Sequence, residues 1–416
     1  MGRTQCLLLV ALFAVGFKGL SQPYDIVVKG GHVVDPKNGV NEVIDVAIKD
    51  GRIAKVSKNI ETEHSAQVID ARGLYVTPGL IDIHAHNFPG MRTGDPFPDG
   101  FTFRNGVTTI VDAGSSGWKS FPELKRETID RSETRVLAWL NIVGEGFRGG
   151  VYEQDTGDMD PKLTSLVARR FREHIVGIKV AHFNGPEWTP VDRAVEAGKL
   201  AGDIPVMIDF GSSTPALSLE ELFMKHLRPG DVYTHCFGGI DNERGSGREA
   251  IVDANGVLKP FVLPSQERGI VFDVGFGAAS FSFAHAVPAL KSGFYPNSIS
   301  TDMNRHSFNG PMHNILHVMS LFLAMGMELP DVIRATTWNS ARIIKRDDLG
   351  SLSVGSCADV AIFNRRKGKF GFYDRDSQRI EGRRRLECEA TIREGKVVFD
   401  QNGIARPIVI PAHPYY

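Results

Sequence analysis

The chain has 416 residues, 42% of them hydrophobic and 23% charged, with a formal net charge of −1. This is ordinary globular composition, long enough for one large domain and a smaller one. A charge so close to zero gives no basis for nucleic acid or an acidic membrane surface as a partner.

The first segment reads as a leader. Arg3 precedes an unbroken run of apolar and small residues from Cys6 to Phe17, and Gly19-Leu20-Ser21 puts small residues where a signal peptidase inspects the chain. Residues 1–21 are expected to be a cleaved secretory signal, cut before Gln22, and the run is too short to span a bilayer. An uncleaved anchor or a miscalled start is the alternative. The expected location is periplasmic or extracellular. Export would permit disulfides, but Cys236, Cys357 and Cys388 form an odd, sparse set, with Cys357–Cys388 the one candidate pair.

Residues 22–75 carry short strands with turn glycines: Asp25–Lys29, Val43–Lys49 and Arg52–Val56, with a hairpin signal at Asp50-Gly51. Over residues 76–345 the pattern changes. Strands are expected at Leu80–His86, Thr108–Ala113, Arg135–Val143, Val176–Ala181, Pro205–Phe210, Asp231–Cys236, Ile270–Val274 and Ser298–Thr301. Helical patterns fall at Pro161–Glu173, Pro190–Ala201, Leu219–His226, Phe281–Ser292 and Pro311–Met325. Alternating strand and helix implies parallel strands with crossovers, and eight such units predict a (β/α)8 TIM-type barrel. Residues 346–410 resume the β style, with Asp359–Phe363, Thr391–Arg393, a turn at Glu394-Gly395 and Val397–Asp400; 411–416 read as a tail. The two ends together predict one small composite β-sandwich domain. The basic stretch Lys367–Arg385 is expected to be a solvated loop.

In a barrel of this type the chemistry sits at the C-terminal ends of the strands. His84 and His86 end the first strand. Residues two apart on an extended strand share a face, so both imidazoles could reach one metal ion. A bare pair fits hydrogen-bonded strand histidines equally well. Four more strands end in a potential ligand or base: Lys179 on the fourth, Asp209 on the fifth, His235 on the sixth and Asp302 on the eighth. A lysine ending an apolar strand is costly unless paired or modified.

Over nearly all of the chain after the leader, these residues resemble the metal-dependent amidohydrolase superfamily. The resemblance rests on Val76–His86, Gly106-Val107-Thr108-Thr109, Lys179, His235, Ser300-Thr301-Asp302, Thr336–Ala341 and Gly355–Ala361. Gly230–Phe237 and Phe272-Asp273-Val274-Gly275 are most similar to its dihydroorotase-like branch of the amidohydrolase/deacetylase type. The resemblance implies two divalent metal ions, zinc first and manganese or iron as alternatives. His84, His86 and Asp302 would hold one, a carboxylated Lys179 would bridge both, and His235 with the strand-five residue would hold the second. A bridging hydroxide would be the nucleophile, and Asp302 would take its proton and return it to the leaving amine.

Two positions depart from the family. Strand five ends in Asp209 where most members have histidine. Asp209 binds the second metal through oxygen, or stands behind the ligands, or the alignment is off and His174 or His182 takes the role. Phe276, between Gly275 and Gly277, replaces a common histidine, so a polar substrate contact or a structural role would be missing.

Arg148, Arg305 and His306 are candidates for gripping a substrate carboxylate, against the plainer reading of surface residues. Glu145 reads as a loop carboxylate. His313 and His317 share a helix face and are expected to pack near the barrel. Thr336–Ala341 is expected to be a helix turn that fixes the barrel to the β domain. The expectation is a metal-dependent hydrolase that deacylates a small N-acyl compound such as an N-acyl amino acid. Cyclic-amide or ester hydrolysis is the near alternative, and a catalytically dead binding protein the alternative of another class. The expected partner is that small molecule, with no nucleic acid and no membrane span, and with homo-oligomerisation open.

Overall fold

Alternating apolar residues and tight turns organise both ends of the chain into one sheet. The computed structural model describes residues 23–63, 65–89, 95–209, 213, 216–239 and 249–407. The leader, its expected cleavage point and the tail lie outside the described residues. No helix among the described residues is long and apolar enough to cross a membrane.

The N-terminal strands are β1 (Tyr24–Asp35), β2 (Val40–Lys49), β3 (Arg52–Ser57), β4 (Ser65–Asp70) and β5 (Tyr75–Pro78). The barrel strands follow as β6 (Leu80–Ala85), β7 (Val107–Gly117), β8 (Arg135–Asn141), β9 (Ile175–Val180), β10 (Val206–Ile208), β11 (Val232–Tyr233) and β12 (Val271–Phe272). The chain ends in β13 (Val360–Tyr373), β14 (Arg379–Arg393) and β15 (Lys396–Asp400). Both expected hairpin turns form: Asp50-Gly51 joins β2 to β3 and Glu394-Gly395 joins β14 to β15, all four residues at positive φ.

The first sheet runs β15-β14-β13-β5-β1-β2-β3, with β4 beside β1. The two ends of the chain meet where β5 pairs antiparallel with β13, Val76 opposite Ile362 and Pro78 opposite Val360. Val76–Pro78 therefore sit in this sheet rather than in the barrel. Ile26, Val33, Val46, Ile53, Val76, Ile362 and Ile392 form its buried core.

The second sheet holds β6 to β12 in chain order, all parallel. The expected eighth strand, Ser298–Thr301, is not a regular strand, yet residues 298–303 close the ring. On one side the Val274, Phe276 and Gly277 amides donate to Ser298, Ser300 and Thr301 carbonyls at 3.1, 3.2 and 2.8 Å. On the other, Asp302 N–H donates to the His84 carbonyl and His86 N–H to Met303, each at 2.7 Å. Asp302 at φ 50° breaks the extended path there.

Local signals set the helices α1 (Phe121–Glu127), α2 (Pro161–Arg170), α3 (Thr189–Leu200), α4 (Leu219–Glu221), α5 (Val262–Glu267), α6 (Phe283–Lys291), α7 (Ile315–Ala324), α8 (Leu329–Thr336) and α9 (Trp338–Ile343). Asp160 caps α2, its carboxylate accepting from Lys162 and Leu163 N–H, with Pro161 opening the helix. The expected helix from Pro311 instead starts at Ile315, because the Asn314 side chain accepts the His317 N–H at 2.9 Å. α4 passes into a π-helical turn at Leu222–His226. Thr336–Ala341 runs from the end of α8 across a break at Thr337 into α9, and Lys37 of the β domain lies 4.4 Å over the Trp338 ring.

One expectation is corrected, and one open pairing is decided. Lys367–Arg385 is not a loop: it forms most of the β13–β14 hairpin, with Arg366 opposite Arg385 and Phe372 opposite Ile380. Phe370, Phe372, Ile380 and Leu386 pack on the barrel core, and the basic residues between them hide that period in sequence. The hairpin tip reaches the barrel rim, where Asp374 accepts the Phe283 N–H at 2.8 Å and Arg375 N–H donates to the Phe281 carbonyl at 3.2 Å. Cys357 and Cys388 are free thiols. Cys388 faces Phe363 in the β13–β14 register, whereas Cys357 precedes β13 and bridges to Arg52.

His313 and His317 pack as expected, with rings 4.5 Å apart and His317 4.9 Å from Phe372 under the hairpin. Burial first, then the charges of His313 and Arg385, push the His317 imidazole down to about 3. Unfolded, it would titrate near 6.5. The unfolded chain therefore binds the extra proton between these values, and stability falls as pH drops from about 6.5 toward 3, by at most ~1.4 kcal/mol per pH unit. We expect His317→Gln to show a smaller fall in Tm between pH 7 and pH 5 than the wild type. Equal falls in the two proteins would refute it.

Candidate metal centre

The β6–β7 register shifts between Asp82 and Ala85, so the first histidine pair sits on a bulge rather than on an even strand. Bulges at a barrel rim re-aim side chains. Here the effect is convergence: His84 Nε2, His86 Nε2 and an Asp302 oxygen gather from the two ends of the ring closure. His86 Nε2 lies 3.1 Å and His84 Nε2 3.7 Å from Asp302 Oδ1. Among the described residues this triad alone brings three ligand-type atoms within 4.8 Å of one another.

Each imidazole has its other nitrogen engaged. His84 Nδ1 is 2.8 Å from the Thr234 hydroxyl, which donates to Asp273 at 2.7 Å. His86 Nδ1 is 3.1 Å from the Ser115 hydroxyl. His235 Nδ1 donates to the Gly275 carbonyl at 2.5 Å. In all three, Nε2 is left facing the centre, the orientation that partners behind a metal-binding histidine impose. Gly275, at φ 46°, is required by this crowding: a Cβ there would stand 2.4 Å from Thr234 Oγ1 and 2.8 Å from His235 Nδ1.

Lys179 ends β9 fully inside the protein. Its Nζ lies 3.3 Å from His84 Nε2 and 3.5 Å from Met207 Sδ. Asp209 Oδ2 lies 3.3 Å from His235 Nε2 and 3.5 Å from His182 Nε2. The structure thus brings His84, His86, Lys179, Asp209, His235 and Asp302 to one end of the barrel, with His182 joining them. His174 does not join; it sits before β9 beside Glu173, at 3.6 Å. Three of these residues, His182, His235 and Asp302, hold positive φ of 54°, 58° and 50°. Non-glycine residues pay about 1–2 kcal/mol for that conformation, a strain that collects at functional sites.

The electrostatics suit a cation. Burial, then the Lys179 charge, drive the His84 imidazole well below its ordinary value, so it stays a neutral donor. Burial would raise the Asp302 carboxyl, but the hydrogen bond from His86 and the nearby charges hold it below the usual range, so it stays anionic. Burial would lower His86, but the Asp302 contact raises it. Two neutral-capable nitrogens and one carboxylate, all nearly buried, are a donor set that suits zinc or manganese.

Several partners were not singled out in the sequence. Asp82 accepts from the Thr301 hydroxyl at 2.5 Å and Thr301 N–H at 3.1 Å, tying the ring closure to β6. Burial pushes its carboxyl up to about 7. Asp273 gathers the Thr234, Ser298 and Ser300 hydroxyls at 2.7, 2.6 and 2.8 Å. Asp82 stood within Val76–His86 and Asp273 within Phe272–Gly275; the signal was a carboxylate inside an apolar strand. Phe147 lies between the His86 and His182 rings, at 4.9 and 4.5 Å.

The candidate substrate residues make contacts of their own beside this cluster's loops. Arg148 pairs with Glu145 at 2.7 Å and stacks over Tyr152 at 4.8 Å. Arg305 and His306 are exposed and bonded to each other at 2.9 Å. Phe276 is a core residue, stacked on Phe281 at 4.4 Å.

Comparison with known proteins places this geometry. The amidohydrolase family pattern matches residues 297–399. A deacetylase of Brucella anthropi is 36% identical over 323 residues, covering 76% of this chain and 78% of its own. A crystal structure of an adenine deaminase superposes with a TM-score of 0.82 at 29% identity, over 91% of this chain and 100% of that one. A crystal structure of a dihydroorotase superposes with a TM-score of 0.78 at 30% identity, over 90% and 99%.

Proposed function

This chain belongs to the metal-dependent amidohydrolase superfamily, in its dihydroorotase-like branch, and from that membership we propose that it hydrolyses the amide bond of a small N-acyl compound such as an N-acyl amino acid. The observation that carries the reading is the triad of His84, His86 and Asp302, within 4.8 Å of one another, with each imidazole pinned from behind. The deacetylase name of the Brucella relative supports the acyl-amide class. The dihydroorotase likeness keeps a cyclic amide as the second reading.

His84, His86 and Asp302 would hold one divalent ion, and His235 with Asp209 a second. Such ions lower the pKa of water and polarise a carbonyl. Lys179 would act as a carbamate, formed when its neutral amine adds carbon dioxide and loses a proton. That gives it an anionic oxygen end between the two halves of the site, which an ammonium cannot provide. The Asp302 carboxylate would accept the proton of the attacking water and deliver it to the departing amine. Burial of the whole set keeps bulk water from screening these charges.

The test is metal analysis of the purified protein joined to a panel of N-acyl amino acids, cyclic imides and esters. We expect transition metal near one or two equivalents, and amide cleavage that a chelator removes and zinc or manganese restores. Absence of metal, with no activity restored by either ion, would sink the enzyme reading; turnover confined to cyclic imides would replace the substrate. Lys179→Ala should lose metal and activity together. Acetate or another short carboxylate should restore part of both, because it supplies the missing oxygen donors.

A further inference from the structure

We propose that His182, held by Glu153, is a ligand of the second metal position and supplies the imidazole that β10 lacks at Asp209. The inference rests on the metallohydrolase reading above and adds to it a ligand and its positioning residue.

Glu153 lies in the loop after β8 and is 2% exposed. A carboxylate so buried needs firm partners. One oxygen accepts the Gly149 N–H at 2.7 Å, and the other lies 2.9 Å from His182 Nδ1. Glu153 therefore fixes the ring with Nε2 turned away from itself. His182 follows β9 at φ 54°, a conformation few histidines adopt without a compensating contact. The Gln154 amide donates to the His182 carbonyl at 2.8 Å and holds that turn in place.

The outcome of this bracing is a specific spacing. His182 Nε2 and His235 Nε2 approach the same oxygen of Asp209, at 3.5 and 3.3 Å. Donor atoms bound at about 2.0–2.2 Å around a tetrahedral zinc ion lie about 3.3 Å apart. Each histidine thus stands at ligand spacing from Asp209, although the three donor atoms do not all fall within 4.8 Å of one another as those of His84, His86 and Asp302 do. The pattern behind them matches too: like His84, His86 and His235, His182 has its Nδ1 engaged and its Nε2 facing the cluster. A carboxylate behind a ligating imidazole raises its basicity and fixes its tautomer.

The competing account is a plain structural relay, in which His182 bridges two carboxylates and touches no metal. Metal counting separates the two. The wild type, His182→Ala and Glu153→Gln are purified with added zinc and measured by mass spectrometry of the bound metal and by competition with a chromophoric chelator. Cobalt-loaded samples are compared by visible absorption. We expect two equivalents in the wild type and one in His182→Ala. Glu153→Gln should keep two, with the weaker one bound 10–100-fold less tightly. The retained first equivalent shows that the fold and the His84–His86–Asp302 position survive the substitution. If His182→Ala does not fold, the affinity change in Glu153→Gln carries the test. Wild-type metal count, affinity and cobalt spectrum in both variants would overturn the inference and leave the metallohydrolase reading intact. A wild type with no metal would end both.

Discussion

His84→Ala is expected to lower kcat/KM by at least ~10³-fold, about 4 kcal/mol of transition-state stabilisation. His84 stands at the middle of the site. Its Nε2 is 3.3 Å from Lys179 Nζ and 3.7 Å from Asp302 Oδ1, and its ring lies 5.0 Å from that of His235. On the proposed reading, truncation removes one donor from the first metal position. It also leaves the Thr234 hydroxyl and the Asp273 carboxylate facing a void. The expected record is therefore loss of activity, loss of at least one metal equivalent, and a modest fall in Tm. Asn keeps a polar group near the Thr234 hydroxyl, so His84→Asn should recover stability without recovering rate. Retention of more than a tenth of wild-type activity in His84→Ala, at full metal content, would remove His84 from the reaction.

The largest expected effect on stability lies at the other end of the barrel. Arg135 opens β8 with its side chain 11% exposed, and spans to Asp359 at 2.5 Å, Glu394 at 2.7 Å and the Thr109 hydroxyl at 2.9 Å. Asp359 is 4% exposed. Removing Arg135 leaves that carboxylate buried without its counter-charge, which costs about 3–5 kcal/mol. The Glu394 N–H still donates to Asp359 at 2.9 Å, so the lower end is the better estimate. The exposed Glu394 arm adds little. Arg135→Ala should drop Tm by about 5 °C and leave kcat within about twofold, since the site is at the opposite rim. Lys reaches only one of the three acceptors as a point charge, so Arg135→Lys should fall between. The double variant Arg135→Ala/Asp359→Ala should be far less destabilised than the sum of the singles. Additive losses would show that the pair is not coupled.

How much of this was legible in the sequence follows from the range over which each signal acts. The ring of strand ends was legible, because strand, rim residue and crossover are consecutive in the chain. His84, His86, Lys179, His235 and Asp302 all follow from that count and from the family likeness. The ring closure at 298–303 was legible as a position but not as an irregular segment, since its bonds come from β6 and β12 rather than from its own pattern. The long hairpin was not legible, because its apolar residues are spaced among arginines and its partner surface, α7, lies elsewhere in the chain. The Glu153–His182 contact escaped for the same reason: the residues come from different loops and touch only once β8 and β9 lie side by side. Asp209 was legible as an anomaly and His182 as one alternative to it; the Glu153 contact behind His182 became visible only in three dimensions.

The pairing of β5 with β13 has a consequence for how the protein is made. β5 emerges from the ribosome about 280 residues before β13. At ordinary synthesis rates of 5–20 residues per second, that is a wait of roughly 15–60 s. For that time β1 to β5 are a half-sheet with an open edge, the kind of surface that recruits the wrong neighbour. The barrel strands are complete before the neighbour domain is. A nascent or truncated chain that stops short of Val360 would therefore carry every barrel strand, its core still missing the hairpin residues that pack on it, beside an unclosed sheet. Such a chain is a natural client for chaperones, and a product that aggregates rather than one that is merely less active.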